Sequence, residues 1–126
     1  MSINFNNALG VHADALNLRT ERTRILAANI ANENTPGYEA RDMNFGAVMQ
    51  QLQTDNASNG AASAPLFSGE ENQSLYRVPY HPSRDGNTVE IGIEQAAFSQ
   101  NATEFQTSLT FVNMAIKGLA KAIAGQ

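Results

Sequence analysis

Three residue types that together can hydrolyse an ester or peptide bond occur within five positions, as His81, Ser83 and Asp85. In a hydrolytic triad, a base takes the proton of the nucleophilic hydroxyl, and an acid holds the base in the correct orientation. The three groups must converge in space, whereas here they follow one another along a single turn that contains Pro82. We therefore expect no catalytic centre at this turn.

The other reactive residues also lack the spacing that chemistry requires. His12 lies in a predicted helix beside its apolar face, where a packed histidine is more common than a ligand. Glu70 and Glu71 are an adjacent acidic pair in a polar segment, which is typical of solvated charge. The chain has no cysteine, no glycine-rich phosphate loop and no metal-ligand spacing. The sequence thus predicts a protein that is not an enzyme, with no cofactor, metal or small-molecule substrate.

Composition limits the partners of this 126-residue chain. A net charge of −4 argues against nucleic acid, because phosphate binding requires a basic surface. The amino terminus has no basic region followed by an apolar run, and no apolar run in the chain is long enough to span a bilayer. We therefore expect a protein that stays in the cytoplasm or leaves it without a cleaved signal peptide.

The first part of the chain predicts a long amphipathic helix that ends at a sharp turn. From about residue 6 to residue 31, apolar residues recur at spacings of three and four, which places them on one face. Pro36 cannot continue a helix, and Gly37 supplies the positive φ of a type II turn over residues 35–38. Asparagine amides there would bond the last helix carbonyls or brace the loop. The candidate assembly motif comprises Asn29, Asn32, Asn34, Thr35, Pro36, Gly37 and Tyr38.

An unbroken heptad pattern predicts a second long helix from about Ile91 to the carboxy terminus. Its apolar residues are spaced alternately four and three apart over more than three heptads. Their flanks are mostly neutral, which favours burial among several helices over a solvated dimer. The predicted helix seam comprises Leu9, Leu16, Leu26 and Ile30 in the first helix, and Phe98, Ala102, Phe105, Leu109, Val112, Ile116, Leu119 and Ile123 in the second.

These elements predict a mainly α fold in which two long terminal amphipathic helices pack as an antiparallel coiled-coil pair. Residues 1–37 and 91–126 would form the helical, tube-forming region. Residues 38–90 would form a small irregular centre with extended segments and a short helix capped by Asp42. Within it, residues 53–74 are small and polar without a period and predict a mobile loop. One helix pair buries little apolar surface relative to its ordering entropy, so we expect other subunits to cover the remaining stripes.

Several of these motifs resemble the flagellar basal-body rod proteins. The amino-terminal signature of that family is similar to residues 25–32 (ILAANIAN) and to the turn at 35–38 (TPGY). Residues 40–42 (ARD) and 75–79 (LYRVP) narrow the resemblance to the proximal-rod members. The resemblance also includes residues 85–90 and 98–109, and covers nearly the whole chain except the 53–74 segment.

The resemblance implies a structural, non-enzymatic subunit of the bacterial flagellar basal body, in the part of the rod that spans the periplasm. Such subunits are exported unfolded through the flagellar type III apparatus. They then assemble through their terminal helices with other copies, other rod proteins and the adaptor at the rod base, near the peptidoglycan. The family's export-gate signal is a phenylalanine followed four residues later by an apolar residue, as in Phe45 and Met49. Phe5 with Leu9 and Phe105 with Leu109 fit it as well.

The alternative function is that of a soluble helical adaptor or chaperone, which would bind a partner helix in a groove between its own two helices. Cell fractionation separates the two functions, because a rod subunit copurifies with basal bodies whereas an adaptor stays in the cytosol. A small hydrolase centred on His81 ranks third.

Overall fold

Helices dominate the computed structural model, which describes residues 5–58 and 74–125 of the chain. In chain order, these residues form α1 (Phe5–Ala31), β1 (Arg41–Met43), α2 (Phe45–Ser58), β2 (Ser74–Tyr76) and α3 (Ile91–Ala124). This confirms the predicted mainly α fold, with two long terminal helices and a short central one. The predicted end of the first helix and the predicted start of the last one also agree with these bounds.

The two long helices lie antiparallel against each other. His12 of α1 stacks on Phe111 of α3, with ring centroids 6.0 Å apart. Near the opposite end of the pair, Asn29 of α1 bonds Glu94 at the start of α3. Low residue numbers in α1 therefore meet high numbers in α3, as expected for an antiparallel pair. The last turn of α3 closes at Gly125, whose left-handed conformation lets its N–H bond the Lys121 carbonyl.

The apolar core lies between α1, β1 and α2 rather than along the interface of the long helices. Three buried side chains, from Leu18, Met43 and Val48, form its centre. Partly buried side chains pack around them, namely Ile25, Phe45, Met49 and Leu52. Because this core includes residues of α1 and of the central region, it fixes the short elements to the first helix.

β1 and β2 form a two-stranded antiparallel sheet in which Arg41 lies opposite Tyr76 and Met43 opposite Ser74. Two strands of three residues are too short to be stable by themselves. The side chain of Asn29 supports the sheet by bonding both the N–H and the carbonyl of Arg41. The sheet is thus anchored on the last turns of α1.

The central helix differs from the sequence prediction at both ends. It is preceded by Asn44, whose Oδ1 accepts a hydrogen bond from the Ala47 N–H at 3.2 Å, so Asn44 is its capping residue instead of Asp42. The Asp42 carboxylate instead accepts hydrogen bonds from Arg22 and Arg77. The helix continues through residues 53–58, so the predicted loop is wrong there, because extending an existing helix costs little even without apolar contacts. The rest of that predicted loop, residues 59–73, lies outside the described residues.

Candidate functional site

The turn that ends α1 has the predicted geometry. Gly37 has a φ of 72°, and the Tyr38 N–H bonds the Thr35 carbonyl at 3.2 Å, as a type II turn requires. Within the turn, Asn32 Nδ2 bonds the Ala28 carbonyl at 2.8 Å, so this amide does close off a helix carbonyl. Asn34 and Pro36 of the candidate motif are exposed.

A residue that the sequence analysis did not identify caps this helix end. Asn87 is buried, and its Nδ2 lies 2.9, 2.7 and 2.9 Å from the carbonyl oxygens of Asn32, Glu33 and Thr35. The Asn87 Oδ1 accepts the Val89 N–H at 2.8 Å, which orients the amide. The only local signal for this role was an asparagine in a turn, which gives no indication of a partner some 50 positions earlier.

Asn29 is the fully buried member of the candidate motif. Its Nδ2 donates to the Arg41 carbonyl at 2.6 Å and to Glu94 Oε2 at 3.0 Å, and its Oδ1 accepts the Arg41 N–H at 3.1 Å. The Tyr38 hydroxyl lies 3.4 Å from the same Oδ1. One side chain thereby joins α1, β1, α3 and the turn. The role of the whole motif in assembly stays a prediction.

Next to Asn29, four charged side chains form a continuous network, which we call the charge network: Arg22, Asp42, Arg77 and Glu94. Arg22 binds Asp42 through two hydrogen bonds, of 2.9 and 3.1 Å. Arg77 donates to Asp42 Oδ2 at 2.8 Å and to Glu94 Oε1 at 2.5 Å. The carboxylate of Glu94 is fully buried, so the network neutralises a charge that water does not reach.

The network shifts the protonation of its members. Burial by itself would raise the pKa of Asp42, but hydrogen bonds from Arg22, the Met43 N–H and Arg77 outweigh it and lower the pKa of Asp42 below its usual value. The hydrogen bonding that Arg22 donates to Asp42 is also the main reason why the pKa of Arg22 is raised, despite the opposing effect of burial. Asp42 and Arg22 thus remain an ion pair over the whole physiological range.

A polar stripe on α3 faces α1 and consists of Glu94, Asn101 and Ser108, the buried residues of that helix. Asn101 Nδ2 donates to the Arg19 carbonyl at 2.9 Å and to Thr23 Oγ1 at 2.8 Å. Arg19 in turn bonds Ser108 Oγ at 3.2 Å and pairs with Glu104. The stripe also has a seven-residue spacing in the sequence, but there its polar residues lie among the neutral flanks of the apolar heptads, which hides it.

The predicted helix seam divides into buried and exposed members in this single chain. Leu26 is fully buried, whereas Leu9, Leu16 and Ile30 are half-buried. On α3, one heptad position is half-buried beside α1, and it holds Phe98, Phe105, Val112 and Leu119. The other position is exposed and holds Ala102, Leu109, Ile116 and Ile123. We call this second set the outer row; whether the whole seam is buried in an assembly stays a prediction.

The three residues that could form a hydrolytic triad are not arranged for catalysis. His81, Ser83 and Asp85 are all exposed. Among the described residues, no hydrogen bond joins their side chains; the Asp85 carboxylate instead accepts the Asn87 N–H at 3.2 Å. Over the whole of the described ranges, no group of three or more acidic or histidine side chains is placed to hold a metal ion. Glu70 and Glu71 lie outside the described residues.

One of the three residue pairs that fit the export-gate signal, Phe45 with Met49, belongs to the apolar core. Phe45 and Met49 pack against the buried cluster, and the Arg19 guanidinium lies 4.2 Å above the Phe45 ring. Phe5 begins α1, and its side chain lies outside the described part of the structure. None of the helices in the described ranges combines the length and apolar character needed to cross a membrane.

Comparison with known proteins gives one consistent result. A sequence model of the family described as "Flagella basal body rod protein" matches residues 9–38, which include the stop and turn of α1. The chain is 47% identical to the flagellar basal body rod protein FlgB of Cereibacter sphaeroides over 97% of this chain and 98% of the relative. It is 40% identical to FlgB of Aeromonas hydrophila, over 100% and 99% of the two chains. It is 37% identical to FlgB of Salmonella typhimurium, over 94% of each chain.

Proposed function

Because the chain belongs to the FlgB family of flagellar basal body rod proteins, we propose that its long helices join it to other copies of itself and to other rod proteins. The protein is a structural subunit of the flagellar basal body rod. In this proposal, residues 1–37 and 91–126 form the tube, and the central region lies on its outer side. It performs no chemical reaction.

The observation that carries the proposal is the outer row of α3. Leu109, Ile116 and Ile123 are 43, 48 and 65% exposed, although each is a large apolar residue. They recur every seven residues, which is the spacing at which side chains of one helix fit between those of another. Large apolar side chains that are exposed in a row along one helix indicate a protein interface. The row therefore fits the terminal helices of neighbouring rod subunits.

The charges around the outer row agree with this role. From Phe105 to Gly125 the only charged residues are Lys117 and Lys121, so most of this half of α3 has no charge that burial would have to remove from water. The remaining flanks are neutral, and serine and threonine hydroxyls can bond backbone carbonyls of their own helix. Thr107 and Thr110 do so, at 3.0 and 2.9 Å. Such flanks tolerate dry contacts with several neighbours.

We also propose that the chain reaches the rod unfolded, through the flagellar type III apparatus. Phe45 and Met49 are packed in the core of the folded protein. A receptor at the export gate could read this pair only before the chain folds. Export of the unfolded chain and use of these residues in the core are therefore compatible, because the two roles occur at different times.

The assembly proposal is tested by placing a charge in the outer row. Leu109→Asp and Ile116→Asp should fold like the wild type when isolated, because both side chains are about half exposed. They should abolish rod formation and motility, because an unpaired carboxylate would be buried against a neighbouring helix. Ser83→Asp, at an exposed polar position outside both long helices, is the control.

The readouts are circular dichroism of the purified variants, electron microscopy of basal bodies, and swimming in soft agar. Wild-type rods and motility in both aspartate variants would overturn the assignment of the outer row as an interface. Loss of motility in the Ser83→Asp control to the same extent would show that the effect is not specific to the row.

A further inference from the structure

Each member of the charge network comes from a different part of the fold. Arg22 lies in α1, Asp42 in β1, Arg77 directly after β2, and Glu94 in the first turn of α3. Only Arg77 contacts both carboxylates, at 2.8 Å to Asp42 and 2.5 Å to Glu94. Its own N–H bonds the Ala40 carbonyl at 2.9 Å, so its backbone and its side chain are both held.

Glu94 depends on Arg77 for its charge balance. The Glu94 side chain is fully buried, and its hydrogen bonds among the described residues come from Arg77 and from the neutral amide of Asn29. Without Arg77, a buried carboxylate would keep a single neutral donor. Breaking a buried ion pair by removing one partner is strongly destabilising, since the remaining charge stays out of water.

The segment that carries Arg77 is also tied, at its far end, to residues 37–40, which follow α1. The Asp85 carbonyl accepts the Gly37 N–H at 2.9 Å, and the Thr88 N–H bonds the Tyr38 carbonyl at 3.0 Å. Thr88 Oγ1 accepts the Ala40 N–H at 2.7 Å. Residues 77–90 are thus docked at both of their ends on the chain that follows α1, and α3 begins immediately afterwards.

The apolar contacts between α1 and α3 do not specify one alignment. The half-buried row of α3 repeats every seven residues, so a shift by one heptad would replace one large apolar side chain with another. Buried polar contacts remove this ambiguity, because a shift by one heptad would separate Glu94 from Arg77 and place a chemically different side chain at the site of Asn101. The network and the polar stripe therefore select a single stagger of the two helices.

We infer that Arg77 couples the docking of residues 77–90 to the pairing of α1 with α3, so that the helices reach their native register only when this segment is seated. The central region then holds α1 and α3 in their register and does not fold independently of them. It sets the stagger at which the subunit presents the outer row. This inference concerns the isolated chain and does not depend on how the subunit assembles.

Hydrogen exchange of backbone amides in the full chain tests this inference through Arg77→Met. The variant should raise exchange by about 100-fold or more, because Glu94 loses its counter-charge in a buried site. The increase should be similar for amides of 85–89, of α1 at 16–26 and of α3 at 98–108. A purely local role would accelerate only amides near residue 77. Protection of both helices at the wild-type level would overturn the inference.

Two further variants keep the test decisive even if Arg77→Met does not fold. In Arg77→Met/Glu94→Gln the buried charge is gone, and the new amide oxygen can still accept from Asn29, so much of the protection in both helices should return. Failure of this rescue would refute the dependence of Glu94 on Arg77. Arg84→Met, at an exposed arginine of the same segment, is the matched control and should exchange like the wild type.

Discussion

Replacing Asn87 with alanine should loosen the end of α1 by an amount that follows from its contacts. The two N–H bonds of the Asn87 amide serve three carbonyls, at 2.9, 2.7 and 2.9 Å, so one bond is shared. At about 1 kcal/mol for each net hydrogen bond, Asn87→Ala should lower the free energy of unfolding by about 2 kcal/mol. With a slope of about 2 kcal/mol per molar urea, the unfolding midpoint should fall by about 1 M.

Asn87→Asp tests the same contacts through charge. A carboxylate would point an oxygen at three carbonyl oxygens, so at pH 7 this variant should be less stable than Asn87→Ala. The same repulsion raises the pKa of the introduced carboxyl in the folded chain. Its penalty is therefore complete above that raised pKa and disappears as the pH falls below the unfolded value of about 3.9, where the neutral O–H can donate.

Urea unfolding of both variants at pH 7 and at pH 3 measures these differences, and comparison at equal pH cancels the titration of all other groups. Asn34→Ala is the control at an exposed asparagine of the same turn, and it should change the free energy of unfolding by no more than about 0.5 kcal/mol. Equal stability of Asn87→Asp and the wild type at pH 7 would refute the capping role.

Three further predictions concern the charge network, the turn and a glycine of α3. Asp42 has a lowered pKa in the folded chain, so its contribution to stability is complete above about pH 4 and is lost as the pH falls through the folded value. Asp42→Asn should therefore be less stable than the wild type at pH 7, and its free energy of unfolding should fall less on acidification. A wild-type unfolding midpoint in urea that is the same from pH 7 to pH 2.5 would contradict this. Gly37→Val should cost about 2 kcal/mol, because no neighbour obstructs a Cβ there and the positive φ alone opposes the substitution. Gly118→Ala, in a helix with open space around it, should instead raise the free energy of unfolding by about 0.5 kcal/mol or more, and a loss in Gly37→Val no larger than that gain would exclude strain at the turn.

Features that depend on local chemistry could be predicted from the sequence. The turn at residues 35–38 follows from the conformational limits of Pro36 and Gly37. The lengths of α1 and α3 follow from apolar spacing that continues over many turns. The end of α1 at Ala31 and the start of α3 at Ile91 therefore agree with the structure.

Features that depend on pairing between distant polar residues could not be predicted. Arg22, Asp42, Arg77 and Glu94 have no periodic relation to one another, and Asn87 caps a helix that ended more than 50 residues earlier. The apolar heptads of α3 predict a buried apolar seam, whereas the buried face of that helix in the isolated chain is the polar stripe. A single sequence does not show which of these two faces packs against α1, since both repeat every seven residues.

Rod assembly through α3 requires that neighbouring subunits cover the outer row, and one introduced thiol measures this coverage directly. The chain has no cysteine, so Ile116→Cys introduces a single reactive group at a position that is about half exposed in the isolated subunit. We predict that a maleimide reagent labels this thiol rapidly in the purified protein and does not label it in intact basal bodies. Labelling at the same rate in both would contradict the account.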